Sequence, residues 1–259
     1  MNIGIIGAGA IAKFLLNEIN NDDYSNLRVQ RIFVRNKEKY QTLEKMFGIT
    51  LYTDMDAFLD EGIDIVVEAA NIEAVVDLLP HVIKKKESVI ISIGALADKK
   101  FLSEITELAD VYQHAVHLPS GAIGGLDLLQ NADAMGSITN VSLTTRKPAD
   151  SLIDYSIDEP VIVYEGTAAN AIKKFPKNIN VSIILSLAGL GLDATKVTII
   201  ADPQMEKNEH HVEMQGDFGE ATVTITNNPL PENPKTSYLA AMSVLGTLQR
   251  IGKSIRIGL

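Results

Sequence analysis

The sequence has no cysteine and no tryptophan among its 259 residues. Without cysteine there is no disulfide, no thiolate metal site and no cysteine nucleophile, and the absence fits a reducing cytoplasm. Aromatic residues make up only 5 %, too few for the stacking platforms that grip sugars or bases. Positive charge is in deficit: 23 Lys and Arg stand against 33 Asp and Glu, a formal net charge of -10. Such a chain repels nucleic acid and anionic membranes, so neither is an expected partner, although a local basic pocket is compatible with the mean field. No apolar run approaches the roughly 20 residues that span a bilayer. The opening residues Met1-Asn2-Ile3-Gly4 lack a basic signal-peptide n-region. The expectation is a soluble, cytoplasmic protein. No His-x-His or HExxH spacing points to a metal, so none is expected, and no GxSxG points to a serine hydrolase.

Hydrophobic residues make up 46 %, enough for a sizeable core, and the length suits two domains better than one. The first half alternates short β-branched runs with helical patterns. Strands are expected at Asn2–Ile6, 29–34, 63–67 and 89–93, and helices at 11–19, 38–47 and 75–83. Apolar runs of this kind are strands buried on both faces, and their alternation with helices implies a parallel sheet with right-handed crossovers. After Val116 the segments become longer and more alternating, at 138–145, 196–200, 211–215 and 222–226, which suits an antiparallel sheet. Helices are expected at 168–174, 179–190 and 236–251, and the three prolines of 227–234 read as a turn or linker. The fold class is therefore α/β: a Rossmann doubly wound parallel sheet with a second α+β domain. The expected domains are residues 1–117, with 235–259 returning to them, and residues 118–234.

The strongest local motif is Gly7-Ala8-Gly9-Ala10-Ile11-Ala12, which follows a strand and opens a helix. Gly7 permits the tight turn, Gly9 keeps side chains off a pyrophosphate, and Ala12 lets helix and strand pack closely. The helix start offers N–H groups and a positive dipole to phosphates, with Gly7, Gly9, Ala10 and Ile11 at the contact. The second strand ends in Val34-Arg35-Asn36-Lys37, with no carboxylate for a ribose 2′-hydroxyl. Arg35 offers a charge for a 2′-phosphate instead, favouring NADP or dual use over strict NAD; the alternative is a solvated loop cation. Glu68-Ala69-Ala70-Asn71 and Ser92-Ile93-Gly94-Ala95 follow strands where the ligand crevice of such sheets opens, and small residues such as Ala70 there admit a cofactor. Ser120, ahead of a helix, is placed to act as an N-cap.

The five histidines are His81, His114, His117, His210 and His211. His81 reads as a surface residue, the other four as strand residues, and residue type alone does not choose a catalytic one among them. Arg146, Lys147, Lys173, Lys174 and Lys177 are cations of the second domain that a small anionic substrate would use as carboxylate clamps.

These motifs fall in an order that resembles the L-aspartate dehydrogenases. The glycine turn is followed by Val67-Glu68-Ala69-Ala70, Ser92-Ile93-Gly94-Ala95-Leu96, Pro119-Ser120-Gly121-Ala122-Ile123-Gly124-Gly125, Phe175-Pro176-Lys177-Asn178-Ile179-Asn180 and Asn208-Glu209-His210. The resemblance covers essentially the whole chain. It implies NAD- or NADP-dependent oxidative deamination of L-aspartate to iminoaspartate, which hydrolyses to oxaloacetate and ammonia or feeds NAD biosynthesis. It implies a homo-oligomer, His210 as the catalytic residue, and Ala122 and Asn180 as contacts on the nicotinamide side. His211 is adjacent, but strand alternation puts the two rings on opposite faces, so only one of them can serve. Val34 departs from the acidic residue that many relatives carry. Two other readings remain: a related two-domain enzyme such as a dihydrodipicolinate reductase or homoserine dehydrogenase, and a non-catalytic NADP-binding sensor.

Overall fold

The computed structural model describes residues 1–21, 26–60, 62–175, 180–255 and 257. The chain divides into two compact units: Met1–Pro119 with Ala241–Ile257, and Ser120–Ala240.

The first unit runs β1 (Asn2–Ile6), α1 (Ala10–Leu16), β2 (Arg28–Phe33), α2 (Gln41–Phe47), β3 (Thr50–Tyr52), α3 (Met55–Leu59), β4 (Ile65–Glu68), α4 (Ile72–Ile83), β5 (Glu87–Ile90), α5 (Lys99–Tyr112) and β6 (Val116–His117). Among the described residues its six strands form one sheet in the order β3-β2-β1-β4-β5-β6. Every pairing in it is parallel. This is a doubly wound sheet, and the reversal of strand order at β1 and β4 is where such sheets open their ligand crevice. The apolar runs explain it: all four residues of β4, Ile65 to Glu68, are buried, as sheets covered on both faces require. Ile6, Phe58, Leu59, Ile63, Val66 and Val82 form a core cluster on one face. A Cβ at Gly4 would lie 2.8 Å from Phe58, so that glycine lets α3 pack directly on β1.

Several local expectations are corrected. The helix expected at 11–19 is α1 followed by a π-helical turn, Asn17–Asn21. The strand expected at 89–93 ends at Ile90, and Ile93–Ala97 is a 3-10 helix. His114 precedes β6 instead of lying in it. Gly48, with φ +63, ends α2 by accepting the left-handed conformation.

The second unit holds α6 (Leu126–Asp133), β7 (Ile138–Pro148), β8 (Val161–Thr167), α7 (Ala168–Lys174), α8 (Asn180–Leu187), β9 (Lys196–Asp202), β10 (Asn208–Gly216), β11 (Gly219–Asn227), β12 (Pro229–Leu230) and β13 (Asn233–Ser237). The last helix, α9 (Tyr238–Ile251), begins at its end. Five strands form a sheet in the order β11-β10-β7-β9-β8. The sheet is mixed, not purely antiparallel, because β7 and β9 run parallel. The proline-rich 227–234 stretch is no plain linker: β12 and β13 pair there as a short hairpin. Ser120 is not an N-cap, since α6 starts at Leu126 and the residue that caps it is Gly125, whose φ of +79 makes the turn into the helix.

Alternation sets the working face of this sheet. Val141, Leu143, Thr145 and Lys147 on β7 are buried, as are Val197, Ile199 and Ala201 on β9 and His210, Val212 and Met214 on β10. In register, His210 stands opposite Thr145 and Val212 opposite Leu143. The buried face is thus apolar at one end and carries polar groups at the other.

Candidate active site

In the first unit the glycine turn is held open. Gly7 has φ +100, and a Cβ there would lie 2.8 Å from the Ala69 carbonyl and 2.9 Å from the Ala70 Cβ. Its amide donates to the Phe33 carbonyl over 2.9 Å, tying the turn to the end of β2. Gly9 is exposed, and a Cβ there would meet only the Ala69 carbonyl at 3.8 Å. Gly7 is therefore required by the turn itself, whereas Gly9 leaves an open surface for a ligand. Ala10 and Ile11 open α1 and are partly exposed. These features fit a dinucleotide.

Glu68, at the end of β4, is 3 % exposed. Its carboxylate accepts the Ala70 amide at 2.7 Å, the Ser92 amide at 3.0 Å and the Ser92 hydroxyl at 2.9 Å. Burial pushes this carboxyl above its ordinary value, and those donors hold back part of the rise. One carboxylate thus fastens together the loops after β4 and β5, which sequence reasoning assigned to the crevice without finding what holds them. Arg35 is exposed just beyond β2, and Val34 beside it is buried, its amide bonded to the Tyr52 carbonyl.

In the second unit the centre is His210. Its ring is 4 % exposed, and Nδ1 shares a 3.0 Å hydrogen bond with the Thr145 hydroxyl. Burial, and secondarily the charge of Lys147, lower its pKa to about 4. The ring is therefore neutral at physiological pH, and with Nδ1 engaged by Thr145 it keeps Nε2 for other partners. Lys147 lies two residues beyond Thr145 on the same strand face, is 9 % exposed, and is lowered by burial to about 8. His211 faces the other way: Nδ1 bonds the Thr224 hydroxyl at 2.7 Å and Nε2 lies 3.5 Å from the Glu213 carboxylate. The other histidines have structural settings. His81 is exposed on α4, His114 Nδ1 donates to the Ile83 carbonyl at 2.6 Å, and His117 Nε2 meets Glu87 at 3.0 Å.

A cleft of about 1250 Å³ opens in this unit, lined among others by Lys147, Asn208, Asn227, Lys235 and Ser237. His210 itself is not part of its wall; Lys147 and Asn208 bring its face to the opening. Asn227 is 4 % exposed. Its Nδ2 donates to the Ala122 carbonyl at 3.1 Å, and its Oδ1 accepts the Ser237 hydroxyl at 2.5 Å. The structure thereby ties Ala122 to the cleft through a residue that the sequence did not single out. Asn227 closes an alternating strand just before the prolines, where its side chain looked like a turn residue. Asn180 is the first residue of α8 and is exposed. Lys177 and the neighbouring residues 176, 178 and 179 of the Phe-Pro-Lys-Asn-Ile-Asn segment lie outside the described residues.

The remaining cations separate by partner. Arg146 is paired with Asp202 at 2.8 Å. Lys173 is exposed. Lys174, also exposed, donates to the Val163 carbonyl at 3.2 Å and lies over the Tyr164 and Phe175 rings.

Comparison with known proteins adds an independent line. A family described as "Aspartate dehydrogenase, C-terminal" matches residues 127–251, and "Homoserine dehydrogenase, NAD binding domain" matches residues 7–119. The L-aspartate dehydrogenase of Methanocaldococcus jannaschii is 38 % identical over 268 residues, covering 100 % of this chain and 99 % of that one. The L-aspartate dehydrogenase of Methanothermobacter thermautotrophicus is 41 % identical over 259 residues, covering 100 % and 98 %. The crystal structure of aspartate dehydrogenase from Thermotoga maritima superposes with a TM-score of 0.80 at 31 % identity, covering 99 % of each chain.

Proposed function

Since the chain belongs to the aspartate dehydrogenase family, we propose that it oxidises L-aspartate to iminoaspartate with NAD or NADP, and that His210 is its catalytic residue. The observation that carries the assignment of His210 is its setting: a nearly inaccessible ring held at Nδ1 by Thr145 and kept neutral beside a buried lysine.

A bound oxidised nicotinamide supplies the hydride acceptor. The chain's own residues supply position and proton management. The glycine turn and the loops fastened by Glu68 hold the dinucleotide, and Ala122, anchored by Asn227, is a contact on the nicotinamide side together with Asn180. His210 Nε2 accepts a proton from the water that attacks the imine carbon, and returns it as ammonia departs. A neutral imidazole suits the first of these steps in the tautomer that donates from Nδ1 to the Thr145 hydroxyl, which leaves the Nε2 lone pair to take the proton. Released product is oxaloacetate and ammonia, or iminoaspartate itself, which suits a role in NAD biosynthesis. Arg35, exposed where the adenosine ribose of a dinucleotide lies in this fold, supports use of NADP. No helix among the described residues is long and apolar enough to cross a membrane, and the working form is taken to be a cytoplasmic homo-oligomer.

The test is the absorbance of the reduced cofactor when purified protein receives L-aspartate with NAD or NADP, and oxaloacetate with ammonia in reverse. Turnover in both directions supports the assignment. Cofactor binding without turnover on any amino acid favours a sensor, and turnover on other amino or oxo acids favours a related reductase. Arg35→Ala should raise the KM for NADP about tenfold, the loss of one exposed phosphate contact, and leave that for NAD unchanged. Equal effects on the two cofactors would remove Arg35 from the phosphate site.

A further inference from the structure

We propose that Asn208 is a specificity-determining contact in the second unit's cleft, and that its carboxamide donates to the side-chain carboxylate of the substrate. The inference rests on the aspartate reading and adds to it a residue that recognises the end of aspartate away from the reacting amine.

Asn208 and Asn227 stand opposite each other on β10 and β11, and both line the cleft. Their amides are used differently. Asn227 is buried, donates to the Ala122 carbonyl and accepts the Ser237 hydroxyl, so its side chain belongs to the fold. Asn208 is partly exposed, and its side chain makes no hydrogen bond to any described residue. A carboxamide carries two N–H donors and an acceptor oxygen, and those of Asn208 remain for whatever enters the cleft. Of the charged groups along the same wall, Lys147 is buried, whereas Lys207, Lys235, Asp150, Asp154 and Glu206 are exposed. Water screens the exposed ones, and their opposite signs largely offset one another.

Strand geometry sets the spacing. Alternation places Asn208 on the face of β10 that carries His210, and residues two apart on one face are separated by roughly 6.6–6.8 Å. A small molecule fits that interval with a hydrogen bond at each end. The chemistry fixes its direction. His210 serves the water that attacks the imine carbon and the ammonia that leaves, so the amine-bearing end of aspartate lies toward the histidine. The side-chain carboxylate then lies toward Asn208. An ionised carboxylate only accepts hydrogen bonds, and the amide meets it with N–H donors while adding no negative charge to an acidic chain.

The test compares wild type with Asn208→Ala and Asn208→Asp, the second of which keeps the shape and exchanges the donors for negative oxygen. Succinate, a dicarboxylate without an amine, is titrated by calorimetry into the intact enzyme with saturating cofactor, alongside steady-state kinetics on aspartate. Asn208→Ala should raise the succinate Kd and the aspartate KM about ten- to a hundredfold, the worth of a hydrogen bond to a charged group. The kcat and the cofactor KM should hold, since the contact is made equally before and during the reaction. Asn208→Asp should raise both constants further at neutral pH, because a like charge replaces a donor. Both variants should melt with wild type, since the side chain supports nothing else in the fold. Unchanged succinate affinity in the two variants overturns the proposal. So does misfolding or a lowered melting temperature in both, which would make Asn208 a structural residue like Asn227. A loss confined to aspartate, smaller in Asn208→Asp than in Asn208→Ala, would put the amide on the amine and overturns it too. Failure of the wild type to turn over aspartate at all is a separate result, and it overturns the aspartate reading beneath the proposal.

Discussion

Thr145 Oγ1 and His210 Nδ1 lie 3.0 Å apart on neighbouring antiparallel strands, directly opposite in register. The hydroxyl fixes the ring's orientation and decides which nitrogen remains for chemistry. Thr145→Val keeps the volume and removes that partner. It should lower kcat about tenfold, the worth of one hydrogen bond lost in a buried setting, with the cofactor KM unchanged and Thr145→Ser close to wild type. Removing the ring itself, in His210→Ala, should cost about 10²–10⁴-fold in turnover, the range for a lost acid or base. Steady-state kinetics on the three variants checks both statements, and wild-type turnover by His210→Ala would sink the assignment.

The same burial makes stability depend on pH. In the unfolded chain the imidazole takes a proton below about 6.5, while the folded ring stays neutral down to about 4. Between those values the unfolded state binds more protons, so acid favours unfolding. The contribution is intact above pH 6.5 and is lost as pH falls to about 4, amounting to at most about 3 kcal/mol. Urea unfolding at pH 7, 5.5 and 4.5 should show wild type losing stability faster than His210→Asn. Parallel curves for the two proteins would show that the ring titrates normally.

Gly7 and Gly9 should answer differently to the same substitution. Alanine at Gly7 meets the Ala69 carbonyl at 2.8 Å and must adopt φ +100, so Gly7→Ala should destabilise the protein by roughly 1–3 kcal/mol. Alanine at Gly9 meets nothing nearer than 3.8 Å. Gly9→Ala should leave the melting temperature unchanged and raise the cofactor KM about tenfold. Thermal melts paired with cofactor titrations separate the fold's glycine from the ligand's glycine.

Glu68 is the pin of the first unit's crevice. Glu68→Ala leaves the Ala70 and Ser92 amides and the Ser92 hydroxyl without their acceptor. The expected cost is about 1–3 kcal/mol for each donor left bare. Glu68→Gln should cost less, though more than nothing, because an amide offers one acceptor oxygen where the carboxylate offers two. Denaturant midpoints rank the variants, and equal stability of all three proteins would mean that water replaces the carboxylate.

The first unit was legible because its strands are buried on both faces, so each of them reads as an unbroken apolar run: Ile3, Ile5 and Ile6, or Ile65 to Val67. The elements that escaped notice lack that signature. β3 is three residues long, α5 buries only Ile105, and β8 carries exposed Val161 and Ile162. The parallel pairing of β7 with β9 leaves no mark in either strand's alternation, since register belongs to the pair. The site divides the same way. The opposite faces of His210 and His211 follow from a two-residue period. The partnership with Thr145, 65 positions away, and the anchoring of Ala122 by Asn227, 105 positions away, arise only when distant strands meet.

The composition of the first unit, Met1–Pro119 completed by Ala241–Ile257, also orders events during synthesis. All six strands of the nucleotide-binding sheet are made before the residues that complete their unit. The residues of Ser120–Ala240 must be translated before its closing helix exists, which takes roughly 6–25 s at 5–20 residues per second. For that interval the nascent sheet lacks the last segment of its unit, Ala241–Ile257. A ribosome that stalls anywhere before codon 241 releases no complete cofactor-binding unit, even though most of that unit was encoded first.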